Sequence, residues 1–314
     1  TTSARTRISY AYDIRIFFQF LISQNPSLAK IGIPNLNVSV LDQLKPIDIE
    51  EYMEYLKLYD SPNDQTTITN GERGLKRKIS SLRSFYTYYY KRQAIETNPV
   101  QLVDMPKIHD KAIIRLDAGE TAALLDYIEH CGDQLTGQRK AYYEKTKLRD
   151  LAIVTLLLGT GIRVSECVGL DVEDIDFRNN GIRLIRKGGS EMVVYFGPEV
   201  EKALKDYLEA RKAISPLEGH EHALFYSTQR KRIGVQAVEN LVKKYARQVT
   251  TTKKITPHKL RSTYGTALYQ ETGDIYLVAD VLGHKDVNTT KKHYAALDDS
   301  RRRQAATAVK LRED

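Results

Sequence analysis

Apolar residues recur at helical spacing along most of this chain, and the clearest β-hairpin pattern is confined to one segment. Stretches 6–23, 46–59 and 71–92 place apolar side chains three and four residues apart, which is typical of helices that bury one face. Few β-branched alternations occur before residue 105. The sequence therefore predicts a small helical bundle at the start of the chain.

A segment with weak periodicity follows this bundle. Residues 106–116 begin with Pro106 and continue into a polar run, which is typical of an interdomain linker. At 314 residues the chain is long enough for two domains that each bury a core. We therefore expect a helical domain at residues 1–105 and a larger domain at 117–314.

Helical patterns dominate this larger domain. Asp117 and Glu120 have capping-box spacing at the start of a helix that runs to His130. The apolar segment 148–158 ends at Gly159-Thr160-Gly161, where glycine permits a sharp exit from a helix. Further helices are predicted at 199–213, 235–249, 257–270, 275–282 and 289–297.

The hairpin pattern lies between these helices. Segments 181–186 and 191–196 flank Lys187-Gly188-Gly189-Ser190, which predicts an antiparallel hairpin with Lys187 at its tip. Together the patterns predict a mostly α protein with a small antiparallel β-sheet.

The charge composition indicates which class of molecule the protein binds. Lys and Arg outnumber Asp and Glu by 48 to 40, and this modest basic excess fits a nucleic-acid partner. The third predicted helix carries Lys76, Arg77, Lys78 and Arg83, which are our candidate DNA-binding residues. An ordinary solvated helix face has the same pattern, so both interpretations stay open.

Several classes of protein are disfavoured. Cys131 and Cys167 cannot form a disulfide framework and lack metal-ligand spacing, which indicates a reducing compartment. His220 and His222 have no third or fourth ligand nearby and are interpreted as part of a polar loop. The longest apolar run is far shorter than the ~18 residues of a membrane span, and no signal-peptide pattern precedes it. We expect a cytoplasmic protein without a metal site.

The last quarter of the chain holds the residues that indicate chemistry. Thr256-Pro257 is typical of a helix start, which places His258 and Arg261 on one helical face where backbone N–H groups also attract anions. Arg163 follows a double-glycine break and supplies a second guanidinium. Two such groups can bind both non-bridging oxygens of one phosphate and stabilise the charge that grows in the transition state. The pattern therefore favours phosphoryl transfer.

A nucleophile and proton carriers can be assigned in the same region. Tyr294 is the phenol next to the basic cluster. A free phenol has a pKa of about 10, so nearby cations and a base must lower the cost of ionising it. We predict that His258 accepts its proton and that Lys187 protonates the leaving 5′ oxygen. His284 either donates to a phosphate oxygen or packs against the tyrosine-bearing helix. Lys202, Lys205 and Arg186 are alternatives to Lys187.

These residues together resemble the tyrosine site-specific recombinases, or phage integrases. The similarity rests on Thr160-Gly161-Ile162-Arg163-Val164-Ser165-Glu166, Lys187, His258-Lys259-Leu260-Arg261, Leu282-Gly283-His284 and Tyr294. In the first domain, the helix around Lys78-Ile79-Ser80-Ser81-Leu82-Arg83 resembles the family's core-binding domain. The likeness covers nearly the whole chain.

The resemblance implies a fold and a reaction. It implies a helical, SAM-like core-binding domain and a catalytic domain that close on duplex DNA as a C-shaped clamp. It implies that Arg163, Lys187, His258, Arg261 and His284 surround a phosphate while Tyr294 forms a 3′-phosphotyrosyl bond, without ATP, metal or other cofactor. Glu166 resembles the family's supporting acid, which holds Arg163; an ordinary surface glutamate is the alternative.

One feature departs from the family pattern. In familiar members the tyrosine falls nine residues after the second histidine, whereas His293 holds that place here and Tyr294 is the tenth. We expect the loop at 285–290 to absorb the additional residue.

The resemblance also implies an assembly. The basic tail 298–314 has an apolar stripe, which predicts a helix exchanged between neighbours in a tetramer on two duplexes, or else a helix that folds back on its own domain. A Holliday junction would link the rounds of strand exchange, and an accessory DNA-bending or directionality protein is a possible partner. A nucleoid location would follow.

Several outcomes remain open at the level of sequence. Integration and excision of a mobile element, chromosome-dimer resolution and DNA inversion use the same chemistry, and a type IB topoisomerase or a catalytically silent DNA-binding protein are more distant alternatives. The chain begins with Thr1 and not with Met, so we expect a trimmed chain; whether an arm-binding domain was removed stays open, and its removal would favour a mobile-element integrase over a housekeeping resolvase.

Overall fold

The computed structural model describes residues 3–61, 66–109, 113–186, 189–284, 286–288 and 290. The chain divides into two compact units, Thr1–Lys111 and Ala112–Asp314. Across the described ranges, no helix combines the length and the apolar character that a membrane crossing requires. Mostly helical structure with small antiparallel sheets confirms the predicted fold class.

The first unit is a helical bundle with one short hairpin. Its helices are α1 (Ala4–Gln24), α2 (Pro26–Ile31), α3 (Pro46–Lys57) and α4 (Glu72–Lys91), with 3-10 turns at Ile33–Asn35, Val38–Gln43 and Pro99–Gln101. Strands β1 (Leu58–Asp60) and β2 (Thr67–Thr69) pair antiparallel. This hairpin was not predicted, because strands of three residues are too short to show an alternating pattern.

Aromatic side chains fill the core of this unit. Phe17 of α1 meets Tyr52 of α3 edge to face, with ring centroids 5.0 Å apart. Ile79, Leu82 and Tyr86 are buried along one face of α4, as their three- and four-residue spacing predicts. The core therefore fixes which side of α4 can present its basic residues.

The second unit contains the remaining elements. Its helices are α5 (Ala118–His130), α6 (Gly137–Thr160), α7 (Val164–Gly169), α8 (Pro198–Arg211), α9 (Val235–Val249), α10 (Pro257–Thr272) and α11 (Ile275–Leu282), with 3-10 turns at Cys131–Gln134 and Val172–Asp174. Helix α6 is central, since Ile153, Val154, Leu156 and Leu157 are fully buried. The predicted capping box is present: the Asp117 side chain accepts from the Glu120 amide at 2.8 Å, and the reciprocal bond is 2.9 Å.

A three-stranded antiparallel sheet lies in this unit. It consists of β3 (Ile175–Asp176), β4 (Gly181–Ile185) and β5 (Glu191–Tyr195) in that order. The predicted hairpin is confirmed: Ile182 pairs with Val194 and Leu184 with Met192. Because side chains alternate along a strand, the buried Ile182 and Leu184 define the inward face of β4.

Candidate active site

The end of α6 turns sharply to present Arg163. Gly161 adopts a left-handed conformation at φ +64°, and a Cβ there would lie 2.3 Å from Tyr264 Cδ1 and 2.9 Å from Leu282 Cδ2. Glycine is therefore required both by the backbone and by the close packing of α10 and α11. The chain then enters α7 with Arg163 at its N-cap position.

Glu166 holds Arg163 from one turn further along α7. One carboxylate oxygen accepts from the Arg163 backbone N–H at 2.7 Å, and the other accepts from Nη1 of its guanidinium at 2.8 Å. Nη2 of Arg163 donates to the Gly283 carbonyl at 3.2 Å. The Glu166 side chain is only 8% exposed while that of Arg163 is 40% exposed. A buried carboxylate thus orients an accessible guanidinium.

Arg186 is a third member of this cluster. Its Nη2 donates to the Val281 carbonyl at 3.0 Å, and its Nε lies 3.9 Å from Glu166 Oε1. Burial lowers the pKa of the Arg186 guanidinium, an effect that Glu166 opposes and Arg163 reinforces. The sequence interpretation treated Arg186 only as a substitute for Lys187. Arg186 directly follows β4 and stands two residues beyond the inward-facing Leu184, and this spacing was the signal that its side chain could turn inward.

Arg261 joins the ends of two helices. It is 4% exposed; its Nη1 donates to the Gly161 carbonyl at 2.5 Å, and its Nη2 donates to the Leu282 carbonyl. It therefore fixes the end of α6 against the end of α11. His258 is exposed in the first turn of α10, which begins at Pro257 as predicted.

His284 lies directly after α11. Gly283 ends that helix at φ +61°, and the His284 backbone N–H donates to the Ala279 carbonyl at 2.9 Å. The ring Nδ1 shares a hydrogen bond of 2.6 Å with the hydroxyl of Thr290, which is fully buried. Sequence reasoning missed Thr290, because a threonine six residues after a histidine carries no recognisable pattern.

A cavity of about 980 Å³ brings part of the predicted site together, but neither His258 nor Arg261 lines it. Arg163, Glu166, Arg186, Gly283 and His284 line one part of it. Among its other carboxylates, Asp174 pairs with Arg183 at 3.1 Å and Asp171 pairs with Arg232. Within the described residues, no group of His, Cys, Asp and Glu is arranged to hold a metal ion.

Two predicted catalytic residues lie outside the described residues, namely Lys187 and Tyr294. The alternatives to Lys187 are engaged elsewhere: Lys202 pairs with Asp206 at 2.8 Å and Lys205 with Glu201 at 2.5 Å on α8. Neither lysine lines the cavity.

The candidate DNA-binding residues of α4 have different surroundings. Arg77 pairs with the buried Asp13, and Lys78 is itself buried with its ammonium donating to Asn70 Oδ1 at 3.0 Å. Burial lowers the pKa of Lys78. Arg83 donates to the Val100 and Val103 carbonyls, both at 3.0 Å. Lys78 and Arg83 therefore have partners within the first unit, and their contact with DNA stays a prediction.

The phage integrase family model matches residues 115–301. The chain belongs to this family. It is 33% identical, over 99% of its own length and 83% of the relative, to tyrosine recombinase XerC of Caldanaerobacter subterraneus. Against tyrosine recombinase XerS of Streptococcus equi subsp. zooepidemicus the identity is 30%, covering 96% of this chain and 89% of the relative.

Solved structures support the fold. A Tn1549 transposon integrase in complex with transposon right end DNA matches with a TM-score of 0.68 and 21% identity, covering 98% of this chain and 95% of that one. XerH bound to a palindromic difH substrate matches with a TM-score of 0.66 and 20% identity, over 85% and 73% of the two chains. The family membership identifies this protein as a tyrosine recombinase, an enzyme that cleaves and rejoins DNA strands.

Proposed function

We propose that this tyrosine recombinase exchanges DNA strands at specific sites through Tyr294, with the scissile phosphate bound beside Arg163. The observation that carries the proposal is the accessible Arg163 guanidinium, held by a buried Glu166 in the same cavity as His284. The matched family region extends through residue 294.

The reaction balances without an external energy source. The Tyr294 oxygen attacks phosphorus and gives its proton to His258, while the bond from phosphorus to the 5′ oxygen breaks and Lys187 protonates that oxygen. A 5′-hydroxyl of the partner duplex then attacks the 3′-phosphotyrosyl bond and releases the phenol. One phosphodiester bond is thus replaced by another.

Fixed positive charge lowers the barrier to both steps. The phosphorane carries more negative charge than the phosphodiester, so Arg163 and Arg261 stabilise the transition state more than the ground state. His284 adds a hydrogen bond to a non-bridging oxygen. Glu166 acts by keeping Arg163 in place, which supports its assignment as the supporting acid.

The assembly belongs to the same proposal. Four protomers act on two duplexes, two cleave at a time, and a Holliday junction connects the rounds. The protein binds the duplexes through phosphate contacts that weaken with salt. The tail 298–314 docks into the next protomer, an accessory DNA-bending or directionality protein assists, and the complex is associated with the nucleoid.

The biological outcome proposed is integration and excision of a mobile element. Chromosome-dimer resolution and inversion are alternatives that use the same strand exchange. Products from two sites on one plasmid, and from sites on separate plasmids, distinguish these outcomes once the target sequence is known.

The decisive test uses a library of labelled half-sites with a nick near the crossover point, incubated in EDTA. The nicked fragment diffuses away after cleavage, so the proposal predicts a trapped covalent adduct, and sequencing the bound DNA gives the site. Tyr294→Phe should form none. Absence of an adduct from the unaltered protein would indicate a silent DNA-binding protein, and relaxation of any supercoiled plasmid without a specific site would indicate a topoisomerase.

A further inference from the structure

Glu166 faces two guanidinium groups in the catalytic cavity. Its Oε1 accepts from Arg163 at 2.8 Å and lies 3.9 Å from Nε of Arg186. The two arginines differ in exposure, because the Arg163 side chain is 40% exposed and that of Arg186 only 9%. One buried carboxylate therefore lies between an accessible cation and a buried one.

Arg186 is packed beside Gly283 and bound to the backbone of α11. Its Nη2 is bound to the Val281 carbonyl, and a Cβ at Gly283 would lie 1.1 Å from its Nη1, so the guanidinium fills the space beside that glycine. Its Nε is buried and makes no hydrogen bond within the described part of the chain. The orientation of this group favours an electrostatic role towards Glu166 over a contact with a ligand.

Charge balance explains why a second cation is needed. A carboxylate paired only with Arg163 would cancel much of the field that this guanidinium presents to a phosphate, and cancellation is strongest where water is excluded. Two cations around one carboxylate leave a net positive charge. The second cation also offsets the cost of burying Glu166.

We propose that Arg186 is a positioning residue that neutralises Glu166, so that Glu166 orients Arg163 without cancelling the charge Arg163 presents to the scissile phosphate. This inference rests on the proposed function, because it concerns the phosphate site of the strand-cleavage reaction. Arg186 acts through Glu166 and Arg163 and does not contact the reacting atoms.

A double-variant cycle tests the charge balance. Single-turnover cleavage of the nicked half-site is measured for the unaltered protein, Arg186→Met, Glu166→Gln and the double variant. Arg186→Met should slow cleavage by about 10- to 100-fold, because a misdirected guanidinium costs that much. The double variant should cleave faster than Arg186→Met and within about threefold of Glu166→Gln.

The double-variant cycle also has an outcome that contradicts the proposal. A double variant more than about tenfold slower than Glu166→Gln would overturn the proposal, since Arg186 would then act independently of the carboxylate. Glu166→Gln and the double variant both lack the Glu166 carboxylate, so neither leaves a buried negative charge without a cation. The comparison between them therefore tests the proposal even if Arg186→Met alone fails to fold. Arg186→Lys, which keeps the charge, should retain more activity than Arg186→Met.

A neutral substrate separates electrostatics from general damage. Replacing a non-bridging oxygen by methyl gives a methylphosphonate, on which the charge of Arg163 matters less. The ratio of the cleavage rate on the phosphodiester to the rate on the methylphosphonate should be lower in Arg186→Met than in the unaltered protein. The same ratio should be unchanged in Arg149→Met. Arg149 is the matched control, because it forms a buried pair with Asp150 at 2.6 Å and does not line the catalytic cavity. Equal ratios in the two variants would contradict the proposal.

Thermal unfolding keeps this inference distinct from the proposed function. If the unaltered protein forms no adduct, the proposed function fails, yet the pairing of Arg186 with Glu166 is still measurable. Arg186→Met should have a lower unfolding midpoint than the double variant, because only the single variant leaves the buried carboxylate short of a cation. An equal or higher midpoint for Arg186→Met would show that the pair does not exist.

Discussion

The basic helix α4 and the catalytic cavity are both rich in cations, but they use them differently. On α4, Arg77 and Arg83 are bound by Asp13 and by backbone carbonyls of their own unit. In the cavity, Arg163 and Arg186 share one carboxylate, Glu166. Two cations that share one carboxylate leave a net positive charge for the proposed phosphate, whereas Arg77 has a buried carboxylate to itself.

The largest expected effect separates Arg163 from Arg83. Arg163→Ala should lower the cleavage rate by about 10²- to 10³-fold, the usual cost of removing a preorganised group that stabilises the transition state. Arg83→Ala should lower the unfolding midpoint and leave cleavage by the folded fraction nearly unchanged. Single-turnover cleavage and thermal unfolding of both variants provide the check. A cleavage defect in Arg83→Ala as deep as that of Arg163→Ala would remove the distinction between the regions.

The next effect concerns stability within the first unit. Arg77→Ala leaves the buried Asp13 without its cation and should lower the free energy of unfolding by about 1–3 kcal/mol, the cost of an unsatisfied buried polar group. Lys76→Ala, the neighbouring control, should not change stability. If Lys76 contacts a phosphate, Lys76→Ala should instead reduce the slope of log K for DNA binding against log salt concentration by about 1. Denaturant unfolding measures the stability of each variant, and DNA binding at several salt concentrations measures the slope. Equal stability of the two variants would contradict the pairing of Arg77 with the buried Asp13.

These contrasts show what the sequence could and could not supply. Spacing on α4 correctly predicted that its basic residues share a helix, and the glycine break correctly predicted that Arg163 follows a sharp turn. Spacing cannot reveal partners that are distant along the chain, such as Asp13 for Arg77 or Val100 and Val103 for Arg83. Tertiary packing therefore determines which of the predicted basic residues have partners within the protein.

The same limit applies to the cavity. The similarity to recombinases identified Arg163, Arg261 and His284 as site candidates, and the structure places Arg163 and His284 in one cavity with Glu166. The burial of Arg186 depends on the strand register and on the space beside Gly283. Both appear only when β4 and α11 are packed in three dimensions.

A smaller effect is expected at Thr290. Thr290→Val removes the hydroxyl bonded to His284 Nδ1 and should slow cleavage by roughly tenfold, because the ring is no longer held for the phosphate contact that we propose. Thr290→Ser is the matched control that keeps the hydroxyl and should stay close to the unaltered rate. The pH dependence of cleavage should shift in the valine variant only. Identical pH profiles for the two variants would argue that Thr290 merely fills space.

The smallest effect involves an exposed pair. The hydrogen bond with Glu173, 2.8 Å long, raises the pKa of His222. The small stabilisation from this hydrogen bond should be fully present below the pKa of His222 in the unfolded chain, about 6.5. It should be lost as pH rises through the higher pKa of His222 in the folded protein. His222→Gln should therefore lower the unfolding midpoint slightly at pH 5.5 and not at pH 9. A difference between the proteins that is the same at both pH values would contradict this assignment.

The most direct test of the account is to map the protein end of the trapped adduct. A half-site labelled at the phosphate is cleaved by the unaltered protein, the complex is digested with protease, and the labelled peptide is sequenced by mass spectrometry. The account predicts a single modified residue, Tyr294, joined to a 3′-phosphate. A label on any other of the 20 tyrosines, or on a serine, would contradict the claim that the cavity of Arg163 and His284 serves this phenol.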